Sequence, residues 1–143
     1  MKLYIKIIAI LFIIFPISAV SKENFFDEAK KLYEKSEYEK SKFLFQRNIV
    51  FNPKDSKSYL YLAKIYENEE NEIEEEKNLK TTLLLEPDNE EAMYMLIDIK
   101  LEKSDIEKVK DLMKKFDVIC ENLCSKMVSI NERLNNIDVK NES

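Results

Sequence analysis

The sequence contains no histidine, no glycine and no tryptophan, and only three prolines and two cysteines in 143 residues. Without histidine the chain lacks the usual proton shuttle at neutral pH and the commonest metal ligand. Without glycine it can form neither a glycine-rich phosphate loop nor a glycine-flanked nucleophile elbow. Two cysteines fall short of the four ligands of a structural zinc site. Most familiar active sites are excluded by these absences, so we expect a chain with no catalytic residues, no metal and no cofactor. An excess of basic charge is missing too: 23 Lys and Arg stand against 28 Asp and Glu, for a net charge of −5. Nucleic acid wants a concentrated basic face and anionic lipid wants basic clusters, so neither is an expected partner.

What is present begins with a targeting pattern. Lys2 and Lys6 give a basic start, Ile7 to Ile17 form an apolar run with Pro16 near its end, and the small residues Ser18, Ala19 and Ser21 follow. Basic, apolar, then small is the order of a secretory signal peptide. The run is short of the ~20 residues a membrane-spanning helix needs, although an uncleaved anchor remains the other reading of this segment. Ala19 and Ser21 suit cleavage after Ser21, which leaves a mature chain starting at Lys22 with no membrane span. That chain has 21 basic residues against 28 acidic ones, near −7, and 122 residues, enough for one domain. The expected location is the bacterial periplasm.

Beyond residue 21 the chain repeats. Pro53 and Pro87 mark the period, which their numbers put at 34. Each is preceded by an apolar run and an amide or acid (Phe51-Asn52, Leu85-Glu86) and followed by residues that cap helices. Polar breaks at Ser36-Glu37, Glu69-Glu70-Asn71 and Lys103-Ser104-Asp105 divide each unit into two helices. No stretch shows the strict alternation of a half-buried strand, so the domain is expected to be all-α.

The middle unit, residues 56–89, carries Tyr59, Leu62, Ala63 and Tyr66 in its first helix, then Leu79, Leu83 and Leu85 before Pro87. This pattern resembles the tetratricopeptide repeat, TPR, a helix–turn–helix unit with the same period. Stepping back by one period places Phe25, Ala29, Leu32, Tyr38, Phe45 and Pro53 on matching positions. Stepping forward places Met93, Leu96, Ser104, Val109, Met113 and Phe116 there. Some positions depart from the pattern. The small-residue slots of the second helices hold Ser41, Glu75 and Val109, then Asn48, Thr82 and Phe116. Glu28 replaces a leucine and Glu121 a proline.

The resemblance implies a solenoid of about three units (22–55, 56–89, 90–119) that binds another protein or peptide on its concave side. The side chains it would aim there are Glu23, Phe26, Lys30 and Tyr33; Lys57, Leu60, Lys64 and Glu67; and Glu91, Tyr94, Asp98 and Leu101. Phe26, Leu60 and Tyr94 would make an apolar floor, and Lys30, Lys57 and Lys64 would orient an acidic or C-terminal peptide. A carboxylate clamp of the Lys-and-Asn kind is not implied, because Lys30, Lys64 and Asp98 occupy the slots where amides belong. Exported partners in the cell envelope follow from the targeting pattern, and the partner's identity and the oligomeric state stay open.

Three further features need a role. Ile119, Leu123, Met127, Ile130, Leu134 and Ile137 form one apolar stripe, expected as a capping helix over 120–137 that covers the last repeat, with 138–143 a disordered tail. Docking of that stripe on a partner is the alternative. Seven acids between Glu67 and Glu76 read as a solvated turn or as an acidic edge for a basic partner. Cys120 and Cys124 suggest a disulfide in an oxidising compartment, with buried thiols and a thiol redox role as alternatives. A membrane-tethered assembly factor and a redox accessory are thus the rivals of an exported, non-catalytic interaction module.

Overall fold

A computed structural model describes residues 25–141, with side chains to residue 137. The expected signal segment, its cleavage site and Glu23 lie outside the described residues. Within them the chain is all helix: α1 (Phe25–Glu34), α2 (Tyr38–Phe51), α3 (Ser56–Asn68), α4 (Glu72–Leu85), α5 (Glu90–Glu102), α6 (Ile106–Ile119) and α7 (Lys126–Asn141). Each helix packs on the next, and α7 packs on both α5 and α6. The result is three successive hairpins and a final single helix, a solenoid. No helix among the described residues is long and apolar enough to cross a membrane.

Local chemistry explains where the helices begin and end. Asn71, Asn89 and Asp105 accept hydrogen bonds from the backbone N–H groups of Glu74, Ala92 and Lys108, capping α4, α5 and α6. The three first helices of the hairpins all end in the same way. Ser36, Glu70 and Ser104 have φ of 60°, 56° and 55°, and they recur at the repeat period. The following N–H groups, of Glu37, Asn71 and Asp105, reach back to the carbonyls of Leu32, Tyr66 and Lys100 at 2.9 Å. This is the Schellman end, which normally takes glycine at the left-handed position. A chain with no glycine forces L-residues into it three times, each against the steric preference of a Cβ carbon.

The small-residue slots of the second helices are buried nonetheless, whereas Glu28 and Glu121 are exposed. Ser41, Glu75 and Val109 are 0%, 7% and 0% exposed. Ser41 donates to the Ala29 carbonyl at 2.8 Å, and Thr82 donates to the Asn78 carbonyl at 3.0 Å. Asn48 donates to Asp55 and Ser58 at 2.7 and 2.8 Å, tying α2 to the start of α3. Hydrogen bonding lets Ser41, Thr82 and Asn48 occupy packing positions without stranding a buried group, whereas the Glu75 carboxyl has no such bond.

Two cores result. The first is aromatic: Phe45 stacks on Tyr61 at 4.9 Å, and Phe26 and Tyr33 meet Tyr61 edge-on at 5.9 and 5.1 Å. The second is mostly aliphatic, built from Leu79, Met93, Leu96, Ile97, Val109 and Phe116, and α7 closes it with Ile130 and Leu134. The stripe of the last helix therefore covers the repeat stack. Its helix differs from the expected 120–137, because Cys120 caps α6 and the next five residues form a loop before α7 starts at Lys126. The helix then runs on to Asn141, through most of the segment expected to be disordered.

Candidate peptide-binding groove

Alternate helices α1, α3 and α5 carry the side chains expected on the concave side. Tyr33, Lys64 and Tyr94 do come together, with Glu67, Glu91 and Lys126, around a groove of about 570 Å³. Asp98 lies farther along the same face, in an acidic pocket that shares Glu67 with the groove. The two tyrosines present aromatic faces of partial exposure, which suits anchoring of an apolar side chain.

The other expected residues are placed differently. Leu60 and Leu101 are 7% and 3% exposed and belong to the core, so neither offers an open floor. Both lie on hairpin-first helices that are sandwiched between neighbours, and the stacking takes their surface. Phe26 is half-buried against Phe45 at 5.6 Å, within the aromatic cluster. Lys57 is exposed and outside the groove lining.

The expected lysine set is largely neutralised by acids of this chain. Lys30 pairs with Glu34 at 3.8 Å, and Lys64 pairs with Glu91 at 2.5 Å while lying 5.2 Å over the Tyr61 ring. Asp98 pairs with Arg133 of α7. The groove itself is lined by Lys64 and Lys126 beside Glu67, Glu90 and Glu91, and further acids gather in the adjoining pocket, opposite to the orientation the lysines alone suggest.

The wall at the α7 side is built by a latch. Cys120 and Cys124 are joined in a disulfide with Cα atoms 5.2 Å apart, both in the loop before α7. Between them, the N–H groups of Glu121, Asn122 and Leu123 converge on one carboxylate oxygen of Glu90 at 2.9, 3.0 and 3.0 Å. The Asn122 amide adds a bond to the other oxygen at 2.9 Å. Backbone N–H donation from Glu121, then the Asn122 side chain and Leu123, holds the Glu90 carboxyl down at about 2. Glu90, at the start of α5, thus fixes the loop that positions Lys126 over the Tyr94 ring at 5.3 Å. The sequence pointed to the cysteine pair but not to Glu90, because its contact with Leu123 spans 33 residues.

Two other residues escaped the sequence reading as functional groups. Glu75 was visible as an acid in a small-residue slot and as one member of the acidic run between Glu67 and Glu76, with nothing to mark it as the buried one. Lys100 stands where the first two units have Leu32 and Tyr66, and it is 9% exposed. A lysine in a packing slot is the signal that a buried carboxylate awaits it. That carboxylate is Glu76, at 2.6 Å.

No family model and no curated protein matches the sequence. Solved structures do match the fold. The type III secretion translocator chaperone SycD of Yersinia enterocolitica aligns over 95% of this chain and 94% of its own, with a TM-score of 0.71 and 17% identity. SycD in complex with a peptide of the translocator YopD aligns over 87% and 98%, with a TM-score of 0.70 and 16% identity. The first TPR of Spaghetti, bound to the HSP90 peptide SRMEEVD, aligns over 83% and 91%, with a TM-score of 0.67 and 12% identity. With its periodic hairpins, Schellman-ended first helices and capping helix, this chain has the tetratricopeptide-repeat fold.

Proposed function

We propose that the chain is a non-catalytic interaction module that holds a peptide segment of a partner protein along its concave face. The observation that carries this reading is the groove of about 570 Å³ between Tyr33, Lys64 and Tyr94, walled by the latched loop and Lys126. A peptide is the natural class of occupant. SycD carries a YopD peptide and the Spaghetti repeat carries an HSP90 peptide on the same fold. Aromatic anchors of this kind concentrate binding energy, often ~2 kcal/mol or more each.

Export to the cell envelope belongs to the same proposal. Its supports are the basic–apolar–small order of residues 1–21 and the Cys120–Cys124 bridge, which suits an oxidising compartment. The exported protein should begin at Lys22. An intact mass that keeps Met1 to Ser21 would favour the membrane-tethered assembly factor instead.

The groove itself is tested by photo-crosslinking in living cells. A benzophenone side chain is placed at Tyr94 or, as the control, at Phe43, which is 61% exposed on α2. A discrete adduct from the Tyr94 position and none from Phe43 is the expected result. Adducts from Phe43 alone would move the working surface away from the groove.

A further inference from the structure

The concave face continues from the tyrosine groove into a pocket of about 270 Å³ where α3, α4 and α5 meet, lined by Glu67, Glu70, Glu72, Glu75, Asp98 and Glu102. Two of these acids are already compensated, Glu72 by Lys103 and Asp98 by Arg133. Among the described residues no lysine or arginine forms an ion pair with Glu67, Glu70, Glu75 or Glu102.

Glu75 separates this pocket from an ordinary solvated acidic turn. It is only 7% exposed, and its carboxyl makes neither a hydrogen bond nor an ion pair. The other polar residues in equivalent slots, Ser41, Asn48 and Thr82, all have partners. No side-chain oxygen or nitrogen among the described residues is fully enclosed without a partner, so the free oxygens of Glu75 keep their small remaining surface where the residue lines the pocket. A carboxyl withdrawn from water and left unpaired is costly, and a ring of further acids raises that cost. The compensating cation is missing from this chain's own described side chains.

We propose that the pocket receives the basic side chain, foremost an arginine guanidinium, of the peptide held in the adjoining groove. This rests on the peptide-binding reading and adds the chemistry of one peptide position. Glu67 lines both cavities, so a side chain branching from a backbone in the groove enters the pocket beside it. A metal ion is the poorer fit, since no three acids among the described residues converge closely enough to hold one. A guanidinium suits dispersed carboxylates because its five N–H donors fan out in a plane. The assignment reverses the acidic peptide expected from Lys30, Lys57 and Lys64, two of which are engaged with acids of this chain.

The test is a titration of the isotopically labelled exported protein with N-acetyl-arginine amide, followed by NMR. N-acetyl-glutamine amide and calcium chloride serve as parallel probes. The expected result is saturable shifts centred on the amides of Glu67, Glu75 and Glu102 with the arginine probe and none with glutamine. The Glu75→Gln/Glu102→Gln double variant, with unchanged helical circular dichroism, should weaken arginine binding about tenfold or more. Absence of saturable shifts, equal response to the glutamine probe, or unchanged affinity in the double variant would each overturn the assignment. So would calcium filling the pocket without competition from arginine. These failures leave the Tyr94 crosslink untouched, whereas loss of that crosslink with arginine binding intact would remove the groove and keep the pocket.

Discussion

Glu75 and Glu76 are consecutive residues of α4 with opposite surroundings. The turn of about 100° between them aims one at the α3–α5 pocket and the other at the flank of α5. Glu76 meets Lys100 at 2.6 Å, Lys80 at 2.7 Å and Lys103 at 3.1 Å. Burial pushes its carboxyl up, but the three lysines together hold it down at about 2. Glu75 meets no cation. Burial, then Glu67, Glu102, Glu72 and Asp98, push it up to about 7. One acid completes an ion cluster that joins two repeats, and the other has no cation among the described side chains. Burial of a charge is therefore no guide to role until its partners are counted.

The strongest way to break this contrast is to strip the compensated acid. Lys100→Met should destabilise the protein by about 2 kcal/mol in urea unfolding, because Glu76 stays largely buried with only the two more exposed lysines. A change below about 0.5 kcal/mol would mean that Lys80 and Lys103 suffice, as for a surface pair.

The uncompensated acid should behave in the reverse sense. Glu75→Gln is expected to raise stability by roughly 1–2 kcal/mol at pH 8 and to do little at pH 4.5. The sign follows from the direction of the shifts. Glu75 titrates above its ordinary 4.5, so the folded protein loses stability as pH rises from about 4.5 to about 7. Glu76 and Glu90 titrate near 2, so the stability they contribute is present above about 4.5 and lost as pH falls toward 2. The unfolding midpoint of the parent should peak between these limbs, and only the upper limb should flatten in the variant.

A smaller effect, about 1 kcal/mol, is expected from the Cys120→Ser/Cys124→Ser pair, because the disulfide closes a very short loop. Hydrogen exchange should quicken in α7 and leave α1 to α4 unchanged, and the Tyr94 crosslink should persist. Alkylation of the native exported protein without reductant should label neither cysteine. Loss of cellular function with the crosslink and fold intact would instead revive the thiol redox reading. The smallest effect, about 0.5 kcal/mol of stabilisation, is expected for Ser104→Gly, which relieves a left-handed L-residue at the cost of a more flexible unfolded chain. Glu70→Gly should match it, and any excess would measure the repulsion Glu70 adds to the pocket.

Much of the fold was legible because it is written locally and then repeated. The polar breaks at Ser36, Glu70 and Ser104 locate the turns, and Asn71, Asn89 and Asp105 mark the helix starts that they cap. The concave positions were legible only in part. Tyr33, Lys64 and Tyr94 meet at the groove, whereas Leu60 and Leu101 sit in equivalent register yet are buried by the helices stacked on either side. Register tells which way a side chain leaves its helix, and the depth of the neighbouring helix decides whether it reaches solvent.

By itself, then, the sequence determined the all-helical solenoid, its repeat period, its capping stripe and the absence of familiar catalytic groups. Each of these rests on spacings along the chain or on composition alone, neither of which depends on how the helices pack. The tertiary structure alone decided which charges are compensated. Lys100 reaches Glu76 across 24 residues, Arg133 reaches Asp98 across 35, and Glu90 reaches the Leu123 N–H across 33. Charge pairing depends on distances set by helix packing, and for that reason the acidic pocket around Glu75 became visible only once the repeats were stacked.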